Sequence, residues 1–424
     1  MPKKPNYFLW LLLFAIALLA RLLVLKLYKE SYFISPDGLT YSNMAENFLQ
    51  GKGIINTIRD RDYVVGPIYP LFLVLVYFFF GVKNYAMVVI CQAVISALTV
   101  VLAYQLGEIL FGKKYGWISY LLFLLYPLFS FWTLYILTET VYIFMLTLFL
   151  YVCVLYAHNL KQPRNRFRNA LLIGIVLGLS NLVRPLLLLV LPVLLVWSWF
   201  IHGWNLKKAF KDVVLICLMM MLVMSPWWIR NYLRYHQFIV ATNYGAYELY
   251  AGNNPYAVTD EYFYFTMKTY DPVVKARIDK LPIQEQEKEY SQLAKSYILK
   301  HPLEFVQRTY SKEVNLFWNP IALWEAIANK IRGYRFDQGY LILGLAGAVL
   351  SVWRIKKYSI LLLMILYYSV IVSMFTVVDS GRYRVPIMPA VILLGALVFV
   401  DILKGLDLVF RKIRMAYKKS FGLR

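Results

Sequence analysis

YAMVVICQAVISALTVVLAYQLGEILFGKKYGWISYLLFLLYPLFSFWTL, residues 85–134, decides the fold. Its two apolar blocks, 85–107 and 117–134, are each long enough to cross a hydrocarbon layer of roughly 30 Å. Between them stands the basic pair Lys113-Lys114. A short basic connection between apolar blocks marks the cytoplasmic side of a membrane, so the stretch reads as two spans joined by an inside turn.

The same alternation runs outward in both directions. Further apolar blocks fall at 7–27, 67–82, 138–158, 169–183, 185–202, 212–230, 338–353, 359–377 and 385–404. Short basic connections carry Lys161 with Arg164, Arg166 and Arg168, then Lys207, Lys208 and Lys211, then Arg354 with Lys356 and Lys357. Placed in the cytoplasm together with Lys3, Lys4 and the basic tail Lys404–Arg424, they fix the orientation. One block breaks the alternation: if 67–82 crossed fully, every later basic loop would fall outside. It is short, opens Gly66-Pro67 and carries Pro70, so it reads as a re-entrant or interfacial helix on the outer side. The expectation is an all-α polytopic protein of about ten to eleven transmembrane helices with both termini cytoplasmic. The N-terminal Met-Pro-Lys-Lys run resembles a signal peptide, but it lacks a small-residue cleavage site and contains Arg21, so an uncleaved first helix is expected.

Composition agrees. The chain of 424 residues is 60% hydrophobic and 16% charged, more apolar than a soluble core requires. The net charge of +22 would suit a nucleic-acid binder, but the basic residues sit in the short inside loops, so the charge reports topology and no nucleic-acid partner is expected. Cys91, Cys153 and Cys217 all lie in apolar blocks and suggest neither a metal site nor a disulfide framework.

The expected organisation is an N-terminal catalytic membrane module over 1–230 with a first outer loop at 28–66, an outer-face domain over 231–337, and C-terminal helices with a basic tail over 338–424. The outer domain is expected to be small, either mixed α/β or α. Asn243–Asp260 reads as loop with short strands, and Gln284–Trp318 as one or two amphipathic helices on the membrane surface or the bundle. Without an internal repeat, inverted-repeat transporter architecture gets little support.

Asp37, Glu139, Arg184, Asp379, Arg382 and Arg384 all fall on the outer side in this topology. Asp37, in Ser35-Pro36-Asp37-Gly38, suits a helix N-cap and equally a general base at the membrane boundary. Glu139 opens an apolar helix: a first-turn acid meets the helix dipole favourably, while an ionisable group near membrane depth is a functional candidate. Arg184, Arg382 and Arg384 are arginines kept in short outer connections against the charge rule. A local ion pair such as Asp379 with Arg382 would explain some of them; a phosphate site would explain the group, because guanidinium forks match phosphate oxygens and keep their charge. Arg21, near the outer end of the first helix, is expected either to join these arginines or, the favoured reading, to snorkel. Tyr250-Ala251-Gly252-Asn253-Asn254-Pro255 suits either a tight turn or a surface for sugar hydroxyls. Tyr41, Tyr63 and Tyr69 are aromatic belt or groove lining. The four histidines are scattered and suggest no metal cluster or triad.

Together these residues resemble a family. Asp37-Gly38-Leu39-Thr40-Tyr41 with Gly51-Lys52-Gly53, Leu137-Thr138-Glu139, Val183-Arg184-Pro185, Ser225-Pro226-Trp227 with Arg230-Asn231, Tyr250–Pro255 and Arg382-Tyr383-Arg384-Val385-Pro386 are similar, in order, to landmarks of type-C membrane glycosyltransferases, the group of dolichyl-phosphate-mannose–protein mannosyltransferases and the lipid A aminoarabinose transferase. The resemblance implies that fold and a base at Asp37, with a second acid at Glu139. Relatives with Asp-Glu in the first loop differ from the Asp37-Gly38 found here, so that second acid has no counterpart.

What the resemblance implies is inverting transfer from a polyprenyl-phosphate sugar to an acceptor hydroxyl on a lipid, glycan or protein, at the extracytoplasmic face of the cell membrane. Donor phosphate would be held by Arg184, Arg382 and Arg384, and sugar or acceptor by Tyr41, Tyr250, Gly252, Asn253 and Asn254. Asp37 with Glu139 also offers oxygen ligands for a divalent cation, as in oligosaccharyltransferases; two acids without a histidine favour metal-independent transfer. The alternatives are a lipid-linked sugar flippase or transporter, which would want charge at mid-membrane, and a glycan ligase or polymerase of the same fold.

Overall fold

The computed structural model of the chain describes residues 6–27, 32–58, 64–236, 238–242, 244–257, 271–318, 334–375 and 380–403. Its helices in chain order are α1 (Tyr7–Leu27), α2 (Pro36–Leu49), α3 (Ile68–Phe80), α4 (Tyr85–Phe111), α5 (Lys113–Leu125), α6 (Pro127–Phe131), α7 (Glu139–His158), α8 (Pro163–Val183), α9 (Leu191–Ile201), α10 (Leu206–Tyr235), α11 (Gly245–Gly252), α12 (Pro272–Ile278), α13 (Ile283–Lys300), α14 (Pro302–Trp318), α15 (Tyr334–Ser351), α16 (Ile355–Phe375) and α17 (Ser380–Arg384). A final helix, α18, covers 388–403.

Among the described residues, seven helices are long and apolar enough to cross a bilayer: α1, α4, α7, α8, α10, α16 and the continuous stretch Arg382–Leu403. The pair Lys113–Leu125 and Pro127–Leu134 adds an eighth if read as one span, bent by 55°. Three shorter apolar helices, Ile68–Phe80, Leu191–Ile201 and Gln338–Ser351, complete the set. The first of these is the 67–82 block, which stops at Gly81 after 13 helical residues. The last two enter the ten-helix expectation only as short spans.

Helix direction sorts the charges. α7 starts at Glu139 and ends at His158, α8 returns to Val183, and α10 runs from Leu206 back to Tyr235. Glu139 and Arg184 therefore share one end of the bundle, while Arg164–Arg168, Lys207–Lys211 and Lys356–Lys357 share the other. There Phe111, closing α4, meets Tyr358, opening α16, at 5.0 Å between ring centroids. At that far end His202 Nε2 also lies 2.7 Å from Asp212 Oδ2, and the Tyr156 hydroxyl bonds both, tying α7, α9 and α10 together. The scattered-histidine expectation thus missed a structural clamp.

The bend between α5 and α6 explains Arg21. Pro127 has no N–H, so the Phe123 carbonyl loses its helical donor. Arg21 supplies replacements from α1: Nη2 to Phe123 O at 3.1 Å, Nη1 to Leu124 O at 2.9 Å and to Ser130 Oγ at 2.6 Å, and Nε to Ser96 Oγ at 3.0 Å. The side chain is 1% exposed. Arg21 does not snorkel; its guanidinium is held inside the bundle because four acceptors converge on it.

Where it is described, the segment after α10 is helical, without strands. α11 replaces the loop expected over Asn243–Asp260, of which Asn243 and 258–260 lie outside the described residues. Asn and Gly turn signals there belong to the helix end, and an aromatic face sets the helix itself. Tyr247 and Tyr250 pack on Tyr290 of α13 at 5.2 and 5.3 Å, building with Ile278 and Ala294 a small core apart from the main one.

Candidate active site

Five elements meet at the end of the bundle where α7 begins. The first is α2. Ser35, not Asp37, caps it: Gly38 N donates to Ser35 Oγ at 3.2 Å and Pro36 occupies the first turn. Asp37 is thereby freed from capping. The segment before α2 is fixed by paired backbone bonds, Phe33 N to Leu134 O at 2.8 Å and Ile136 N to Phe33 O at 2.9 Å. α2 then approaches so closely that a Cβ on Gly38 would sit 2.5 Å from Ile136 O. Glycine after Asp37 is therefore a packing requirement, which accounts for the missing Asp-Glu pair.

The second element is the start of α7, where Glu139 is 0% exposed. The third is the exit of α8. Arg184 precedes Pro185, which disfavours helix, and its backbone is extended at φ −146°, ψ 128°, turning the side chain off the helix. The fourth is α17 with Arg382. Arg382 Nη1 donates to Asp37 Oδ2 at 3.0 Å while its Nε donates to Glu139 Oε1. Arg184 Nη1 reaches the same Glu139 oxygen at 3.0 Å. Asp37, Glu139, Arg184 and Arg382, four of the residues singled out in the sequence, thus converge. Burial depresses the Arg184 pKa, but the Glu139 carboxylate more than reverses this, leaving it above the ordinary arginine value. Glu139 Oε2 is buried with no hydrogen-bond partner.

The fifth element is α11, and the sequence reading missed it. Glu248 is hydrogen-bonded to Tyr383 and shares the field of Arg184, Arg382 and Asp37. Burial raises its pKa above the usual carboxylate value, against the pull of the two arginines. Tyr383 in turn lies under Arg184, 5.2 Å from guanidinium to ring centroid. Glu248 sits two residues before the Tyr250–Asn254 turn that drew the attention; nothing in its own context marks it out.

Tyr41 stands one turn beyond Asp37, edge-on to Tyr69 at 5.2 Å. Burial, reinforced by Asp37, pushes its hydroxyl up to about 12, so it is a neutral donor at physiological pH. Tyr69 donates to Gln92 Oε1 at 2.9 Å, and Gln92 Nε2 donates to Thr133 O and Tyr135 O at 2.9 and 2.8 Å, bracing the strand-like segment beside Asp37.

Two expectations are corrected. Arg384 does not join the arginine group: it is 2% exposed and donates to Leu316 O at 3.1 Å and Phe317 O at 3.3 Å, binding the last turn of α14. The Tyr250–Asn254 turn does not offer its amides to a ligand. Asn253 Nδ2 donates to Leu249 O at 2.9 Å and to Met374 O of α16 at 3.1 Å. Asn254 Nδ2 donates to Tyr250 O at 2.7 Å, and Gly252 O accepts from Lys312 Nζ at 2.8 Å. These residues end α11 and lock it to the spans. Asp379 and Tyr63 lie outside the described residues.

Among the described residues no group of three or more His, Cys, Asp or Glu is placed to hold a metal ion. Asp37 and Glu139 have the Arg382 guanidinium between them, so as arranged the pair does not fit a divalent cation, which seeks six or more oxygens.

Residues 64–229 match the family model of dolichyl-phosphate-mannose-protein mannosyltransferase. The structure is similar to that of the oligosaccharyltransferase AglB from Archaeoglobus fulgidus in complex with an inhibitory peptide and a dolichol-phosphate, with TM-score 0.56 and 16% identity over 99% of this chain and 52% of that one. The Archaeoglobus fulgidus enzyme in complex with Zn and sulfate gives TM-score 0.52 and 14% identity, over 97% and 51%. ArnT from Cupriavidus metallidurans bound to undecaprenyl phosphate gives TM-score 0.49 and 16% identity, over 92% and 77%. The chain thus spans about half the length of the archaeal enzyme. No curated protein matches the sequence. The chain has the fold of the type-C membrane glycosyltransferases and carries, over residues 64–229, the sequence pattern of the dolichyl-phosphate-mannose–protein mannosyltransferase family.

Proposed function

We propose that the chain is an inverting glycosyltransferase moving a sugar from a polyprenyl-phosphate donor to an acceptor hydroxyl on the outer face of the cell membrane. One observation carries the reading: Arg382 is held between Asp37 and Glu139, with Arg184 on Glu139. This offers two permanent cations to a phosphate and a carboxylate beside them to a proton. A lipid-phosphate donor is further supported by the matched family, described by dolichyl-phosphate-mannose, and by the dolichol-phosphate held by AglB. Basic connections at the opposite end support an outward-facing site with both termini inside. In this reading 1–230 is the catalytic module, 231–337 its outer cover, and 338–424 the helices that return Arg382 to the site together with a basic cytoplasmic tail.

In the transfer step the acceptor oxygen attacks the anomeric carbon from the face opposite the phosphate, and its proton passes to Asp37. The bond between anomeric carbon and phosphate oxygen breaks with its electron pair on oxygen, and polyprenyl phosphate leaves. Phosphate departs without an acid, so one carboxylate suffices where glycosidases need two. Arginine contacts that strengthen as charge builds on the departing oxygen stabilise the transition state over the ground state. Donor phosphate also competes with Asp37 for Arg382. A carboxylate released from its guanidinium is a stronger base, so donor binding itself prepares the proton acceptor. Glu139, holding both arginines from below, remains the anchor.

The test uses full-length protein in detergent with undecaprenyl-phosphate-linked mannose or aminoarabinose, a membrane extract as acceptor source, and release of undecaprenyl phosphate as readout. Wild type should release it, and Asp37→Asn should not, while still binding undecaprenyl phosphate. Wild-type release by Asp37→Asn would remove the base; binding without release by wild-type protein would favour a flippase.

A further inference from the structure

α14 is built inside out. Three of its long polar residues face the protein: Arg308 donates to Asn254 O, Lys312 is 1% exposed and donates to Gly252 O, and Glu313 accepts from Ser373 of α16 at 2.7 Å; Gln307 is exposed. Four of its apolar residues face away, while Leu316 is buried in the core. Leu303 is 78% exposed, Val306 63%, Tyr310 71% and Val314 38%. Their spacing of three, four and four residues puts them on one line along the helix. Leu299, at the end of the preceding helix α13, is likewise 80% exposed. A water-facing helix has the reverse arrangement.

Position indicates what covers this stripe. Glu313 is fastened to the last turn of α16, and Arg384, at the start of the final span, binds the carbonyls of Leu316 and Phe317. α14 therefore sits level with the ends of two spans, where hydrocarbon gives way to headgroups. Deeper along α16, Leu366 and Val370 are exposed as lipid-facing residues of a span are. Lys295 and Lys300, on the solvent-exposed side of α13 beside Leu299, suit lipid phosphates. We infer that α14 lies in the membrane interface of the chain's own bilayer, with Leu299, Leu303, Val306, Tyr310 and Val314 set into the acyl-chain layer. The outer segment is then supported on the membrane as well as on the bundle, and α11, which carries Glu248, is held at a fixed height above the lipid through Arg308 and Lys312. The inference does not depend on glycosyl transfer.

The test places single cysteines in full-length protein whose Cys91, Cys153 and Cys217 are replaced by serine. Nitroxide labels at Leu303→Cys and Val306→Cys are compared with one at Lys288→Cys, in vesicles of phosphatidylethanolamine and phosphatidylglycerol. Oxygen should relax the labels at 303 and 306 severalfold more effectively than a water-soluble nickel chelate, with the order reversed at 288. Preference for the nickel chelate at 303 and 306 would overturn the inference. So would dipolar broadening between labels on separate copies, which would assign the stripe to a dimer contact.

Discussion

Arg382 Nη1 lies 3.0 Å from Asp37 Oδ2, joining residues 345 positions apart, and the same guanidinium also binds Glu139. The rigid guanidinium places Nε on one acid and Nη1 on the other; a lysine ammonium is a compact point charge on a flexible stem and lacks that fixed spread. Arg382→Lys should therefore lower donor turnover by about 100-fold, with a loss of order 1.5–3 kcal/mol per charged hydrogen bond removed. The check is kcat/KM for Arg382→Lys, Asp37→Asn and the double variant. If the two residues act together, the double variant should be little worse than the more damaged single one.

Glu139 stabilises as well as orients. It is fully buried with two guanidiniums on one oxygen. Replacing it with Gln leaves Arg184 without its paired carboxylate and Arg382 with Asp37 alone; removing one partner of a buried pair costs about 3–5 kcal/mol. Glu139→Gln should show a clear drop in melting temperature in detergent as well as lost activity, whereas Asp37→Asn, at the half-exposed rim of the cluster, should melt close to wild type.

Gly38 makes a sharper prediction. A Cβ there would stand 2.5 Å from the Ile136 carbonyl, which is fixed by the Phe33 pairing. Gly38→Ala must shift α2 and carry Asp37 away from Arg382. Activity should fall at least tenfold, since misplacement of about 1 Å can cost two orders of magnitude, while insertion and yield stay near normal. A fully active Gly38→Ala would show that Asp37 need not be held at this distance.

Much of this was readable from the chain because membrane spans announce themselves: a run such as 85–107 and a pair such as Lys113-Lys114 fix helix and direction without tertiary information. Helix direction then brings Asp37, Glu139, Arg184 and Arg382 to one end. What direction cannot supply is side-chain azimuth. Arg382 and Arg384 are two residues apart on a short helix, so they point to different sides, one to the acids and one to α14. Arg21 was unreadable for a related reason, since its acceptors come from the Pro127 break more than 100 residues later. Asn253 and Asn254 stay open between turn and sugar surface in the sequence because an amide satisfied by its own helix end has the same signature as one awaiting a sugar. Glu248 carries no local mark; only folding places it beside Tyr383.

Glu287 gives a pH signature outside the membrane. Burial raises its pKa to about 7 from an ordinary 4.5, although the Ala246 amide donates to it. The folded state thus favours the protonated acid, so its contribution to stability is complete below about 4.5 and is lost as pH rises toward 7. Glu287→Gln should match wild type in melting temperature near pH 4.5 and exceed it at pH 8. An unchanged difference across that range would show that the carboxyl is not buried as described.

Arg21 separates stability from chemistry. Its guanidinium supplies donors to Phe123 O and Leu124 O, carbonyls left at the bend before Pro127, and its remaining bonds go to Ser96 and Ser130, not to the acid–arginine cluster. Arg21→Met keeps the length of the side chain but strands both carbonyls in an apolar interior, at about 1–3 kcal/mol for each. The variant should lose about 2–6 kcal/mol of stability, read as a lower melting temperature in detergent. Donor KM in the fraction that folds should be unchanged. A shift in KM with unchanged melting would instead place Arg21 in contact with the donor's path, and the bend between α5 and α6 would then need another source of support.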